Sequence, residues 1–451
     1  MKREQFLKKH GLKPNDVVSL HGAGKDACTY EGSILPVDAG VPDDVLVLKL
    51  KSGYNAGIKI AAGLSVKKLG TIKKKPLPSA KPKNNPKLPD IAIIQVGGTI
   101  AAMVDYKTGG VSAKLSDEQL LAMFPKLAEI ANYRCRFLMN ILSENIRLGH
   151  YPLIAKAVAD EIKKGAKGVI ITHGTDAMGY TSAALSFMLE NVPVPVLLVG
   201  AQRSSDRGST DAALNMWCAA NFIAKSDFAG VAICMHENLE DNSCLILPGT
   251  KTRKMHTSRR DAFRTINAKP IARVSAEGNV EFIAHDYMCS NKNAKFALRN
   301  KIEEKVALVK ATPAMYAAQI DACKKLGIKG VVLEGTGLGH TPTIDGDGKT
   351  RKENAKILGA ISSLAKSGVI VVMASQCING RVQMHVYSAG VMLHGAGVIG
   401  AEDMLPETAL IKLAWLLGNC KKQEVKELFT KNLRGEITEC SRLDTFPQDF
   451  K

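Results

Sequence analysis

The stretch Gly168-Val-Ile-Ile-Thr-His-Gly-Thr-Asp176 decides the fold of this 451-residue chain. Its apolar run at residues 169–171 is typical of a buried parallel strand. A glycine ends the run, Thr175 and Asp176 follow, and residues 179–190 have the pattern of a helix. Because the order is strand, glycine turn and helix, the hydroxyl and the carboxylate are expected at the carboxyl end of a sheet, where open α/β folds bind ligands.

Two interpretations of this turn are open. In the first it is an ordinary βα turn in which Asp176 caps the following helix. In the second it belongs to a catalytic site, which is favoured by a second turn of the same kind, Gly97-Gly-Thr99, and by Lys254 in a charged loop. A threonine hydroxyl needs a nearby base to act as a nucleophile. A desolvated Lys254 beside Asp176 could hold the proton balance that activates Thr175 or a water.

Strand patterns alternate with helical patterns from residue 91 onward, which predicts an α/β architecture with parallel, doubly wound sheets. Polar residues dominate around 290–305, so we expect two α/β domains, at 90–290 and at 302–435. The segment 249–267 interrupts the regular pattern. It is dense in charged and hydroxyl residues, and its pattern is weakly helical.

The first 72 residues have a different pattern, with short strands separated by glycines. Leu46, Leu48 and Leu50 share one face of a strand, as in a half-buried sheet. Residues 1–72 are therefore predicted to form a small β domain resembling a barrel. Residues 73–89 contain five prolines among lysines, a composition typical of an extended linker. A basic arm that orders on RNA is the alternative for this segment.

Composition excludes some classes of protein and suggests one class of partner. No apolar run approaches the roughly 18 residues of a membrane span, and the N-terminus lacks the apolar segment of a signal peptide. We therefore expect a cytoplasmic protein with no membrane partner. The ten cysteines are scattered without a CxxC pair, which favours reduced thiols and no metal site. The net charge is +18, and the first 90 residues hold 17 Lys and Arg against 8 Asp and Glu. Such a charge attracts polyanions such as tRNA, although solubility alone would also explain it.

Together, the two glycine turns and the lysine segment resemble the asparaginase/glutaminase amidohydrolase family over about residues 90–420. The motifs that carry the resemblance occur in the family's order, and they are Ile93-Ile-Gln-Val-Gly-Gly-Thr-Ile-Ala101, Ile170-Ile-Thr-His-Gly-Thr-Asp176, Lys254-Met-His-Thr-Ser-Arg-Arg-Asp-Ala-Phe263, Gly330-Val-Val-Leu-Glu-Gly-Thr-Gly-Leu-Gly339 and Ser375-Gln-Cys-Ile-Asn-Gly380. The resemblance implies two asparaginase-like α/β domains.

One subgroup of that family carries an additional N-terminal β domain, namely the D subunits of archaeal-type glutamyl-tRNA(Gln) amidotransferases. Leu46-Val-Leu-Lys-Leu-Lys-Ser-Gly-Tyr-Asn-Ala-Gly57 is similar to part of that domain. The resemblance implies a glutaminase that supplies ammonia to an E-type partner, which converts Glu-tRNA(Gln) to Gln-tRNA(Gln). It also implies a homodimeric core and no cofactor in this chain, since ATP and Mg would be used by the partner.

The resemblance also implies catalytic roles for four residues of this chain. Thr99 would be the nucleophile of the first turn, forming an acyl-enzyme with the amide carbon of glutamine. Thr175, Asp176 and Lys254 would form a second catalytic set. Which of the two threonines attacks first is left open.

Two further residues would bind the substrate. Ser143 and Glu144 match the family segment that holds the amino-acid part of the substrate, and a carboxylate suits an ammonium partner. A solvated loop is the alternative for this segment. Tyr106 is the only tyrosine in the loop after the first turn, and we assign it no catalytic role.

Two rival functions are compatible with the same residues. One is a free cytosolic L-asparaginase, and the other is a tRNA-binding scaffold with an inactive hydrolase fold. The preference for glutamine over asparagine is not decided by the sequence, because one methylene is worth only about 1–3 kcal/mol in a pocket.

Overall fold

The computed structural model describes residues 1–22, 28–36, 41–51, 54–71, 84–98, 100, 103–104, 111–112, 116–205, 209–291 and 293–446. The described residues form a small β domain followed by two α/β domains. The predicted fold class is therefore confirmed. No helix within these ranges is long and apolar enough to cross a membrane.

The N-terminal domain is an antiparallel sheet with strand order β4-β3-β2-β1-β5. Its elements are α1 (Arg3–Lys9), β1 (Asp16–His21), β2 (Thr29–Ile34), β3 (Val45–Leu50), β4 (Asn55–Lys59) and β5 (Ser65–Thr71). Leu46 and Leu48 alternate with partly exposed residues along β3 and are fully buried, together with Val18 and Leu20 of β1. These side chains form a core of their own.

The second domain is built on an eight-stranded sheet of order β18-β17-β14-β13-β12-β10-β6-β9. Its elements are β6 (Asp90–Gln95), β7 (Met103–Val104), β8 (Val111–Ser112), α2 (Asp117–Met123), β9 (Asn132–Phe137), α3 (Tyr151–Lys163), β10 (Gly168–Thr172), α4 (Met178–Met188), β11 (Leu189–Glu190), β12 (Pro195–Val199), α5 (Ala212–Lys225), β13 (Gly230–His236), β14 (Ser243–Pro248), β15 (Thr252–Lys254), β16 (Phe263–Thr265), β17 (Ala272–Ser275), β18 (Val280–Phe282) and β19 (Ala297–Leu298).

The five strands from β9 to β13 in this order are parallel, as predicted, and the remaining three continue the sheet in antiparallel fashion. The apolar strands β10 and β12 are buried along their whole length, because helices cover both faces of the parallel part. Helix α2 begins at a capping box, in which Ser116 and Gln119 exchange hydrogen bonds.

The weakly helical pattern at 249–267 is misleading, because this segment is a β-hairpin. Its strands β15 and β16 pair Thr252 with Thr265 and Lys254 with Phe263. Branched and aromatic side chains favour strands when they pack on cross-strand neighbours. At the tip, Asp261 accepts hydrogen bonds from two arginines, which closes the turn. Tertiary contacts therefore override the local helical pattern.

The third domain contains a four-stranded parallel sheet of order β20-β21-β22-β23. Its elements are β20 (Val306–Lys310), α6 (Ala317–Lys325), β21 (Gly330–Gly335), α7 (Gly348–Lys366), β22 (Ile370–Ser375), α8 (Ser388–Gly395), β23 (Ile399–Gly400), α9 (Pro406–Asn419) and α10 (Lys422–Phe429). Helix α9 packs on α4 of the second domain, where the rings of Phe187 and Trp415 stack with centroids 5.5 Å apart. The two α/β domains thus share one hydrophobic core.

Candidate active site

The two glycine turns lie side by side because the strands that lead into them are parallel neighbours. Strands β6 and β10 are paired in register, with Gln95 opposite Thr172. At Gly98 the backbone has φ +86°, and a Cβ built there would lie 2.6 Å from the carbonyl carbon of His173. Only glycine fits this contact, so the close approach of the turns depends on the absence of a side chain. Thr99 follows directly in the chain, but it lies outside the described residues.

Three of the predicted catalytic residues meet at the end of β10. The Lys254 Nζ donates hydrogen bonds to Thr175 Oγ1 at 2.9 Å and to Asp176 Oδ1 at 2.8 Å. The lysine side chain is 15% exposed and the aspartate 63% exposed, so the lysine is largely removed from water while its partner faces the solvent. A hydroxyl, an amine and a carboxylate in one hydrogen-bonded chain can move a proton to or from the hydroxyl.

The structure does not support the interpretation of Asp176 as a helix cap. Ala177 occupies the cap position of α4, and no side chain caps that helix. The carboxylate instead accepts a hydrogen bond from Lys254, 78 positions further along the chain. Asp176 is therefore tied to the lysine hairpin rather than to its own helix.

Ser143 lies beneath the second turn and is only 3% exposed. Its Oγ accepts a hydrogen bond of 3.1 Å from the backbone N–H of Asp176. A Cβ built at Gly174 would lie 2.7 Å from the same oxygen, so the serine and the glycine turn are in direct contact. The serine hydroxyl keeps its own proton to donate. Glu144, the next residue, is exposed. Substrate binding by these two residues stays a prediction.

His173 is a residue of the site that sequence reasoning did not single out. Its ring is fully buried, with Nδ1 2.6 Å from the carbonyl oxygen of Gly174 and Nε2 2.9 Å from Thr181 Oγ1. Since a carbonyl can only accept, Nδ1 carries the proton and Nε2 accepts from the threonine. Burial lowers the pKa of His173 to about 4. Its position between a buried strand and the Thr-Asp pair was the available signal.

Two other sequence-based expectations concern Tyr106 and metal binding. Tyr106, like Thr99, lies outside the described residues. Within the ranges that the structure covers, no group of three His, Cys, Asp or Glu side chains is arranged to hold a metal ion.

Comparison with protein families gives three consecutive matches along the chain. Residues 12–69 match the GatD N-terminal domain, residues 90–287 match the family described as asparaginase, N-terminal, and residues 305–429 match the glutaminase/asparaginase C-terminal domain. Solved structures agree with the last two. The thermostable L-asparaginase from Thermococcus kodakarensis superposes with a TM-score of 0.68 and 31% identity, covering 78% of this chain and 100% of that one. The L-asparaginase I from Vibrio cholerae superposes with a TM-score of 0.67 and 28% identity, covering 78% of this chain and 99% of that one.

Curated relatives match over the whole length, including the N-terminal domain. The glutamyl-tRNA(Gln) amidotransferase D subunit of Pyrococcus abyssi is 45% identical over 450 residues, which covers 99% of this chain and 100% of the relative. The corresponding D subunit of Methanothermobacter thermautotrophicus is 42% identical over 444 residues, covering 98% of each. At this identity and coverage, the chain belongs to the family of glutamyl-tRNA(Gln) amidotransferase D subunits.

Proposed function

We propose that this chain is the glutaminase component of a tRNA-dependent amidotransferase. It hydrolyses glutamine to glutamate and ammonia, and a partner subunit uses the ammonia to convert Glu-tRNA(Gln) to Gln-tRNA(Gln). The observation that carries the proposal is the Lys254 bridge between Thr175 and Asp176. It occurs in a chain whose full length, rather than its hydrolase part alone, matches the amidotransferase subunits.

The chemistry follows from the hydrogen-bonded chain at the end of β10. A threonine Oγ attacks the side-chain amide carbon of glutamine, and its proton passes through the Thr175–Lys254 hydrogen bond to the leaving nitrogen. The C–N bond breaks, ammonia leaves, and an ester remains on the threonine. Water then hydrolyses the ester, which restores the hydroxyl and releases glutamate. Either Thr99 or Thr175 can be the attacking residue in this scheme.

Substrate binding in this proposal uses the segment beneath the second turn. Ser143 donates its hydroxyl proton to the amino-acid part of glutamine while its oxygen accepts from Asp176. The exposed carboxylate of Glu144 pairs with the substrate ammonium. Both residues belong to one short 3-10 turn, Ser143–Asn145, whose position is fixed by contact with Gly174.

The proposal extends to partners and compartment. The chain functions in the cytoplasm with an E-type partner, tRNA(Gln) reaches it through the complex, and two copies of the chain form the core. The chain itself needs no cofactor, because the activation of glutamate with ATP and Mg belongs to the partner. The positive charge of the first 90 residues supports proximity to tRNA.

A free L-asparaginase is the second candidate, because the asparaginases align over 78% of the chain. Ammonia release from glutamine and from asparagine separates the two candidates when it is measured with and without partner subunit and Glu-tRNA(Gln). Glutamine hydrolysis that rises only with both additions supports the amidotransferase. Fast asparagine hydrolysis by the chain alone would overturn it, and tight tRNA binding without any hydrolysis would indicate a scaffold.

A further inference from the structure

The strand that carries Lys254 presents alternate side chains to two different domains. Thr252 and Lys254 face the second domain, where Thr252 bonds to Pro248 and Lys254 to the second turn. Lys251, directly before β15, and Arg253 face the opposite way, and each pairs with a carboxylate of the third domain. This is the period of two expected along an extended chain. The third domain therefore contacts the back of the strand whose front carries Lys254.

The contact at Lys251 is buried and complete. Its Nζ lies 2.6 Å from Asp403 Oδ2, and both side chains are 1% exposed. The other carboxylate oxygen accepts from the backbone N–H of Thr438 at 3.0 Å, and the hydroxyl of Thr438 donates to the carboxylate as well. Two positions along the strand, Arg253 Nε lies 3.2 Å from Glu407 Oε1.

The far end of the hairpin is held by the same domain. Asn267 follows β16 and has φ +54°. Its amide donates to the carbonyl oxygens of Gly380 at 3.0 Å and of Asp403 at 3.2 Å, and it accepts from the N–H of Gly380 at 2.9 Å. Both roots of the hairpin are thus fixed on the third domain, and Lys254 projects from between them.

We propose that Asp403 is a positioning residue for Lys254: through Lys251 it fixes the strand from which the lysine reaches Thr175. Removing one partner of a buried ion pair leaves an uncompensated buried charge, so the surrounding backbone has to rearrange. Lysine has a long, flexible side chain, so the direction of its amine depends on the placement of its backbone. A displacement of about 1 Å at a reacting group can cost roughly 100-fold in rate. The third domain therefore acts on Lys254 through the backbone of the hairpin that carries it.

This inference rests on the proposed function, and a kinetic cycle tests it. Asp403→Asn, Lys254→Arg and the double variant are compared in the full chain with partner subunit and Glu-tRNA(Gln), by steady-state ammonia release from glutamine. We expect Asp403→Asn to lower kcat at least about 10-fold with KM changed less than about twofold. In the Lys254→Arg background, Asp403→Asn should lower kcat by less than about twofold. The reason is that Asp403 acts on the rate through the Lys254–Thr175 hydrogen bond, which the arginine has already altered.

Controls separate positioning from general damage. Asp444→Asn neutralises an exposed ion pair with Lys269 and should leave kcat unchanged. If Asp403→Asn fails to fold, Asn267→Gly replaces it, because glycine accepts the positive φ while removing the amide contacts. Equal losses in both backgrounds, or full activity of the folded variant, would overturn the inference. Full activity of Lys254→Ala would instead sink the catalytic assignment on which it rests.

Discussion

Lys254 donates a 2.9 Å hydrogen bond to the hydroxyl of Thr175, although the two residues are 79 positions apart in the chain. The contact joins a hairpin beyond the sheet to the turn at the end of β10. Among the described residues, Lys254 is the only one whose side chain hydrogen-bonds to the side chains of both Thr175 and Asp176. Its amine therefore lies within proton-transfer distance of a potential nucleophile, the hydroxyl of Thr175.

The first prediction concerns this amine. Lys254→Ala should lower kcat for glutamine hydrolysis by about 100- to 10,000-fold, the range expected for loss of a positioned acid–base group. KM should change little, because the amine faces a threonine and an aspartate of the protein. The measurement is steady-state ammonia release, with Lys356→Ala as the control, since that exposed lysine pairs with Glu353 on α7. Equal rates for the parent and Lys254→Ala would refute the assignment.

A second prediction separates support of the turn from binding of the substrate. Ser143→Ala leaves the N–H of Asp176 without its acceptor, so the free energy of unfolding should fall by about 1–3 kcal/mol. The rate should fall with it, because the Thr175–Asp176 turn loses its support. Urea unfolding and kcat/KM measured on the same preparation check both parts.

Glu144→Gln is the matched change at the neighbouring position. The side chain is exposed, so stability should stay within about 0.5 kcal/mol of the parent. If the carboxylate binds the substrate ammonium, KM for glutamine should rise while kcat is retained. A rise in KM for Ser143→Ala alone would mean that Glu144 lies in a solvated loop.

The parallel strands were predicted correctly from the sequence, because an apolar run that ends in a glycine turn can be recognised from neighbouring residues alone. The sequence also indicated that Lys254 meets Thr175 and Asp176, through the chemistry of these residue types and a family resemblance rather than through the pattern of residues 249–267. The local pattern of that segment is weakly helical, whereas its hairpin is fixed by partners such as Asp403, which is 152 positions from Lys251. Local propensity cannot report contacts of that separation. The sequence analysis did not single out His173, because the low pKa of its ring depends on burial in the folded chain.

A third prediction tests the contact between the two turns. Gly98→Ala should destabilise the chain by more than about 2 kcal/mol, because left-handed backbone strain of roughly 1–2 kcal/mol adds to overpacking of roughly 1–3 kcal/mol against His173. Hydrolysis should be lost even where the variant remains folded. Thermal unfolding and ammonia release are the measurements.

Gly359→Ala is the control for this change. Gly359 is exposed on α7, and a Cβ built there meets no atom within 4 Å. Alanine in a helix interior should stabilise the chain by about 0.5–1 kcal/mol and leave activity intact. If the two alanine variants behave alike, the close approach of Gly98 to the second turn does not matter for the site.

The last prediction concerns pH and His173. The pKa of this buried ring is lowered from 6.5 to about 4, so the unfolded chain binds more protons than the folded chain between those pH values. The free energy of unfolding should therefore fall as the pH is lowered from about 6.5 to about 4, by roughly 3 kcal/mol from this residue alone. Above about pH 6.5 the ring is neutral in both states and this contribution does not vary.

His173→Asn removes the titrating group while keeping an amide that can donate to the carbonyl of Gly174. The variant should be less stable at neutral pH, because Thr181 loses its ring acceptor. Urea unfolding between about pH 4 and about pH 7.5 should show the difference in stability between parent and variant shrinking as the pH falls below about 6.5. His285→Asn, at an exposed histidine, is the control substitution and should leave the free energy of unfolding within about 0.5 kcal/mol of the parent. A parent–variant difference that stays constant over the whole range would show that protonation of His173 does not oppose folding.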